Sequence, residues 1–158
     1  MGFFFITNIE FDCKWSADAP NYEDQQSYSP TFNDFALNLA NYLIKIYDLH
    51  NKNILEIGCC KGNFLLLLFH FGNNKGTGID PSDVPGRIDN EAVEEVTFIK
   101  DYYGEQHAKD VGNFIYCCQT LEHIQLTFEF INSLRRSIGY RHVPVFFELP
   151  VLPVFSRI

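Results

Sequence analysis

A chain of 158 residues that is 46% hydrophobic and 16% aromatic is too apolar to be disordered and is long enough to bury one domain core. Its formal net charge of −8, with no basic cluster, disfavours a nucleic-acid footprint and points to a small-molecule partner. No apolar run approaches the ~20 residues of a bilayer-spanning helix, so no membrane partner is expected.

From the start, MGFFFITNIEF lacks the basic segment and cleavage site of a signal peptide, and its sixth residue is not the Ser or Thr of a myristoylation signal. Residues 1–28 read as an irregular, polar-aromatic arm. Ser29-Pro30 then reads as N-cap and first position of a helix, in which Phe32, Phe35, Ala36, Leu39, Leu43, Ile46 and Tyr47 recur at helical spacing to about Leu49. NILEIG (53–58) is a short buried strand, followed by the helix GNFLLLLFHF, which Gly72-Asn73-Asn74 stops. GTGID (76–80) is a second strand, and PSDVPGRIDNEAVEE a loop with room for a short helix. VTFIK (96–100) is a third strand, DYYGEQHAKDVG a turn with a short helix, and NFIYCC (113–118) a fourth strand. LEHIQLTFEFINSLRRSIG reads as one helix with Leu121, Ile124, Phe128, Ile131 and Leu134 on a face, and PVFFEL (144–149) as a fifth strand.

Short apolar strands alternating with helices imply a parallel, doubly wound sheet covered on both faces, with any ligand beyond the carboxyl ends of the strands. Those ends carry the informative residues. Gly58 and Gly62 let the loop after the first strand turn tightly and let backbone approach a ligand. Asp80, twenty-two residues after Gly58 and followed by Pro81, stands where such folds hydrogen-bond a ribose diol. Asp101, with Tyr102 and Tyr103 beside it, suits an adenine: a carboxylate for the amino group and a ring for the base. Either acid alone is also what an ordinary solvated loop carries. Three successive strand ends bearing a glycine loop and two acids make a nucleoside-type ligand the expectation.

A dinucleotide fingerprint would need three glycines around a pyrophosphate. Here Glu56 precedes Gly58, where it would repel a pyrophosphate but can hold an amino-acid ammonium. The stretch Glu56-Ile57-Gly58-Cys59-Cys60-Lys61-Gly62 resembles the first motif of class I S-adenosylmethionine-dependent methyltransferases, E/D-x-G-x-G-x-G, with Cys60 in place of the middle glycine. The resemblance continues through Asp80, Asp101 and CCQTLEHI (117–124), over about residues 28–150. The string YSPTFNDFALNLANYLIKIYDL, NILEIGCCKGNFL, GTGIDPS, VTFIKDYY and TLEHI is similar to the branch that includes sugar C-methyltransferases.

That resemblance implies a Rossmann-like, mainly parallel sheet of about five strands, with S-adenosyl-L-methionine held by Glu56, Gly58, Cys60, Gly62, Asp80, Pro81, Asp101, Tyr102 and Gln119. It also implies methyl transfer to a small molecule such as a nucleotide-linked sugar. His123, then Glu122, are the base candidates at the fourth strand end, although His123 could equally only cap or pack its helix. Tyr22, Glu23 and Tyr28 are placed to close over cofactor or acceptor, or to pack as an aromatic arm.

The family's cysteine-rich zinc module is not present, and its further strands and active-site region beyond the fifth strand are missing. A truncated domain over 29–158, or one whose fifth strand a partner chain covers, is therefore expected. The alternative function is a non-catalytic cofactor-binding remnant or subunit. Some relatives bind a divalent metal through an acid at the position of Gln119; glutamine there weakens that reading, and no metal is expected. Zinc or redox chemistry at Cys59-Cys60 and Cys117-Cys118 is a third reading, disfavoured because adjacent strand residues point to opposite faces. The five cysteines, Cys13 included, are odd in number and mostly adjacent, which favours reduced thiols and a cytoplasmic setting. His50, His70, His107 and His142 have no partner that the sequence identifies.

Overall fold

The computed structural model describes residues 29–82 and 96–149. The arm residues Tyr22, Glu23 and Tyr28, together with Cys13, lie outside them. In chain order the elements are α1 (Pro30–Tyr47), β1 (Asn53–Ile57), α2 (Asn63–Gly72), β2 (Lys75–Ile79), β3 (Val96–Ile99), a 3-10 turn (Glu105–Asp110), β4 (Phe114–Cys118), a second 3-10 turn (Leu121–His123), α3 (Thr127–Ile138) and β5 (Val145–Glu148).

The five strands form one sheet in the order β3-β2-β1-β4-β5. Every pairing is parallel, with Glu56 level with Gly78 on one side and Tyr116 on the other. The order reverses between β1 and β4, so the switch point lies beside the loop that follows β1. Among the described residues β5 pairs only with β4 and forms one edge.

Side-chain alternation divides the core in two. Ile54, Phe114 and Tyr116 face α1 and α2, where they meet Leu43, Ile44, Leu65 and Leu68. Leu55, Ile57, Ile115 and Cys117 face the other way, against Leu134 and Ile138 of α3. Neighbouring Cys117 and Cys118 therefore belong to opposite layers, and the described residues contain no group of three or more metal-ligating side chains.

α1 begins as its sequence requires: the Ser29 hydroxyl accepts from the Phe32 amide at 3.4 Å, with Pro at the first helical position. No described helix is long and apolar enough to cross a membrane. One expectation needs correcting. LEHIQLTFEFINSLRRSIG is not one helix, because Ile124 takes extended backbone (φ −92°, ψ 108°) and ends a 3-10 turn. The Thr127 hydroxyl donates to the Ile124 carbonyl at 2.7 Å, and α3 starts afresh at Thr127. His123 thus sits in an isolated turn and not in the first turn of an α-helix.

Candidate cofactor site

The loop between β1 and α2 is held in an unusual backbone state. Gly58, Cys60 and Gly62 have φ of 74°, 47° and 75°, all left-handed. At Gly58 the requirement is twofold, because a Cβ there would also lie 1.8 Å from the Thr120 hydroxyl. Thr120 cannot easily withdraw, since it donates to the Cys118 carbonyl at 2.7 Å. The loop after β1 is thereby packed directly on the segment after β4. Cys60 carries the left-handed cost that glycine avoids, about 1 kcal/mol, which is the physical content of its departure from the glycine pattern. Its amide donates to Asp80 Oδ2 at 2.9 Å. Cys59 points inward, buried against Gly78, and serves packing.

The three strand-end acids occupy different environments. Glu56 is 2% exposed, and its Oε2 has no hydrogen-bond partner among the described residues. Burial drives its carboxyl well above the usual range, Asp80 and Glu148 push the same way, and only the Leu65 backbone amide opposes them. Leu65 lies in the first turn of α2, whose N-cap Gly62 has no side chain to offer. Glu56 therefore supplies part of the cap that the glycine cannot.

Asp80 is also buried, but both of its oxygens accept hydrogen bonds. Oδ2 takes the Cys60 amide, while Oδ1 takes the Ser82 amide at 2.7 Å and the Ser82 hydroxyl. Asp80 thus ties the loop to the end of β2, and the adjoining Pro81 is partly buried.

Asp101 is 48% exposed in its side chain. It accepts from the Tyr102 amide at 2.8 Å and from Gln106 at 3.4 Å, and it meets His107 Nε2 at 3.0 Å. These bonds, led by that from His107, hold its carboxyl below the usual range. Tyr102 is 57% exposed, whereas Tyr103 turns inward onto Phe130, with ring centroids 6.1 Å apart.

At the fourth strand end, Gln119 adopts φ 43° and directs its amide to Glu148 Oε1 at 3.2 Å. Glu148, at the end of β5, also receives the Tyr116 hydroxyl at 2.6 Å and the Cys118 thiol at 3.1 Å. Burial raises the Cys117 thiol to about 12, and it also raises Cys118 and Tyr116, which act as neutral donors to Glu148. Sequence reasoning missed Glu148 because its role depends on the β4–β5 register, which pairs it with Cys118. Glu122 and His123 are exposed on their 3-10 turn, and the structure records no hydrogen bond from either side chain to another described residue. It brings Glu56, the loop, Asp80 and Asp101 to one end of the sheet but does not tie the base candidates into that network.

These features can be set beside known proteins. A methyltransferase-domain family model matches residues 31–150. No curated protein matches the chain significantly. Among solved structures, the DhpI–SAM–HEP complex superposes with a TM-score of 0.54 at 18% identity, over 85% of this chain and 61% of that one. The plantazolicin methyltransferase BpumL, with a triazolic desmethylPZN analog and SAH, gives 0.53 at 17%, over 85% and 51%. WbdD gives 0.51 at 19%, over 91% and 33%. The chain thus spans about a third to three fifths of the length of these proteins, and at such identities the likeness is one of fold. The family match, extending over most of the chain, carries more: this chain belongs to the S-adenosylmethionine-dependent methyltransferase family and has its Rossmann-like class I fold.

Proposed function

We propose that the chain binds S-adenosyl-L-methionine across the ends of β1, β2 and β3 and serves methyl transfer to a small molecule, with a nucleotide-linked sugar as the first acceptor to try. The observation that carries this is a Glu56 Oε2 that is buried and without a hydrogen-bond partner among the described residues, on the strand that leads into a left-handed loop. A buried carboxylate oxygen without a donor is costly, and the ammonium of the cofactor's methionine end, directly or through water, supplies one. At the other end, exposed Tyr102 offers a face to a base and Asp101 an acceptor to its amino group. Asp80 would meet the ribose through Oδ2, which accepts only from the Cys60 amide and keeps a lone pair, whereas Oδ1 is filled by the Ser82 amide and hydroxyl.

When bound, the cofactor's sulfonium provides the activated methyl carbon, and the protein's part is to align the acceptor and remove its proton. His123, with Glu122 beside it, is the base in this reading. Gln119 is bonded to Glu148, so it shapes the site's wall. The odd number of cysteines and the adjacent pairs Cys59-Cys60 and Cys117-Cys118 suit a reducing, cytoplasmic setting. A second reading, cofactor binding without turnover, draws on the exposure of His123 and Glu122 away from the hydrogen-bonded network.

Titration calorimetry of the chain with S-adenosylhomocysteine tests the site; saturable one-to-one binding is expected, and no heat at millimolar ligand would refute it. With an acceptor in hand, His123→Ala should lower turnover about 10²-fold. Unchanged turnover would remove His123 from the role, and binding without any transfer would favour the second reading.

A further inference from the structure

We propose that His107 is a positioning residue for the nucleobase end of the site, fixing the Asp101 carboxylate so that one acceptor position faces the exocyclic amine of an adenine. The inference rests on the cofactor reading above and adds a residue that the strand-end motifs do not contain.

His107 is buried, on the 3-10 turn Glu105–Asp110 that follows β3. Its Nε2 lies 3.0 Å from Asp101 Oδ2, and its Nδ1 lies 3.6 Å from Asp110 Oδ2. That Asp110 oxygen is itself buried and has no hydrogen-bond partner among the described residues. The imidazole thus stands between an inner and an outer carboxylate. Its ring lies beside Tyr103, with centroids 6.2 Å apart and planes 30° apart, which sets its tilt.

The turn bearing it is anchored from α3 and the residues just after it. Arg136 Nη2 reaches Glu105 at 2.7 Å, and Arg141 donates to the Val111 carbonyl at 2.8 Å and the Ala108 carbonyl at 3.5 Å. The charged and titratable groups around the pair are therefore Asp110, Glu105, Tyr103, Arg136 and Arg141. None of these five hydrogen-bonds Asp101 directly; His107 and Gln106 do.

An ionised carboxylate has about four acceptor positions. On Asp101 the Tyr102 amide takes one at Oδ1, while Gln106 and His107 take those at Oδ2. One position at Oδ1 remains open on a half-exposed group beside an exposed ring. An untethered aspartate at a loop would rotate freely and lose that definition on average. Held from below by a buried donor, it is set before the ligand arrives, which lowers the ordering cost of binding. A single acceptor position selects an N–H over a carbonyl at the same ring position.

Calorimetry on the full chain, with S-adenosylhomocysteine and its deaminated analogue S-inosylhomocysteine as probes, tests this. His107→Phe should weaken S-adenosylhomocysteine binding about tenfold, the scale of one hydrogen bond to a charged group, and narrow the preference over the inosine analogue. His107→Gln, which keeps a donor near the Nε2 position, should restore most of the affinity. The double variant His107→Phe, Asp101→Asn should bind no more weakly than Asp101→Asn alone. The acid limb of wild-type binding should lie below the usual aspartate range and move up in His107→Phe.

Wild-type affinity, analogue preference and acid limb retained in His107→Phe would overturn the inference while leaving the cofactor reading intact. Losses that multiply in the double variant would do the same, by assigning His107 a purely structural part. A wild-type chain that binds no S-adenosylhomocysteine removes both. Should His107→Phe fail to fold by circular dichroism, His107→Gln carries the test, and loss of discrimination in that variant counts against the proposal.

Discussion

Glu56 at the end of β1 and Asp101 at the end of β3 are both strand-end carboxylates, yet their surroundings push them in opposite directions. Glu56 is buried with one oxygen unpartnered among the described residues, and desolvation drives its carboxyl up. Asp101 is half exposed and receives three donors, which hold its carboxyl down. Burial with a single backbone donor and several donors with little burial are two contrasting ways to prepare an acid for a ligand. The first keeps a site that a cation completes. The second keeps a ready acceptor whose direction is already chosen.

The contrast can be broken at the backbone that builds it. Gly58→Ala combines a left-handed φ of 74° with a Cβ 1.8 Å from the Thr120 hydroxyl. It should cost on the order of 3 kcal/mol of stability in urea unfolding, and Thr120→Ala in the same chain should return part of it. Indifference to Gly58→Ala would mean that the loop over Glu56 is not set by this packing.

Glu56→Gln comes next in size. A folded-state carboxyl raised above its ordinary value of 4.5 keeps a proton that the unfolded chain has released. Its contribution to stability is therefore present at low pH and falls as pH rises from about 4.5 through the folded value. Glu56→Gln should flatten that decline in thermal unfolding between pH 4.5 and 8 and leave the variant relatively more stable at the alkaline end. An unaltered pH profile would place the carboxylate in contact with water.

The smallest effect is expected at Cys60→Gly. Relief of a left-handed residue and the added freedom of glycine in the unfolded chain oppose each other, so stability should change by less than about 1 kcal/mol. Removal of the side chain from the loop should tighten S-adenosylhomocysteine binding by calorimetry. Looser binding would show that the thiol supports the loop geometry.

The sequence carried the strands, their ends and the N-terminus of α1 because each rests on a local signal: an apolar run, a glycine, Ser29 before Pro30. Glu56, Asp80 and Asp101 could be named from strand ends alone. Their states could not, since the raised carboxyl of Glu56 follows from its burial in the folded core and from the charges of Asp80 and Glu148, distant in sequence. His107 gave no signal because its bond to Asp101 depends on the turn being 3-10 and on where α3 and Arg141 pin it. Gln119 read as cofactor lining but turns to Glu148, a partner set by a parallel register and not by spacing. The break after His123 was hidden by an apolar periodicity that runs through Ile124 into α3.

The bond from the Cys60 amide to Asp80 bears on timing. A loop already fastened to the β2 end has no slow ordering step to complete before a ligand can lodge. Association should therefore rise linearly with ligand concentration, without the plateau that a conformational gate imposes. Discrimination between ligands would then be expressed in how long each one stays.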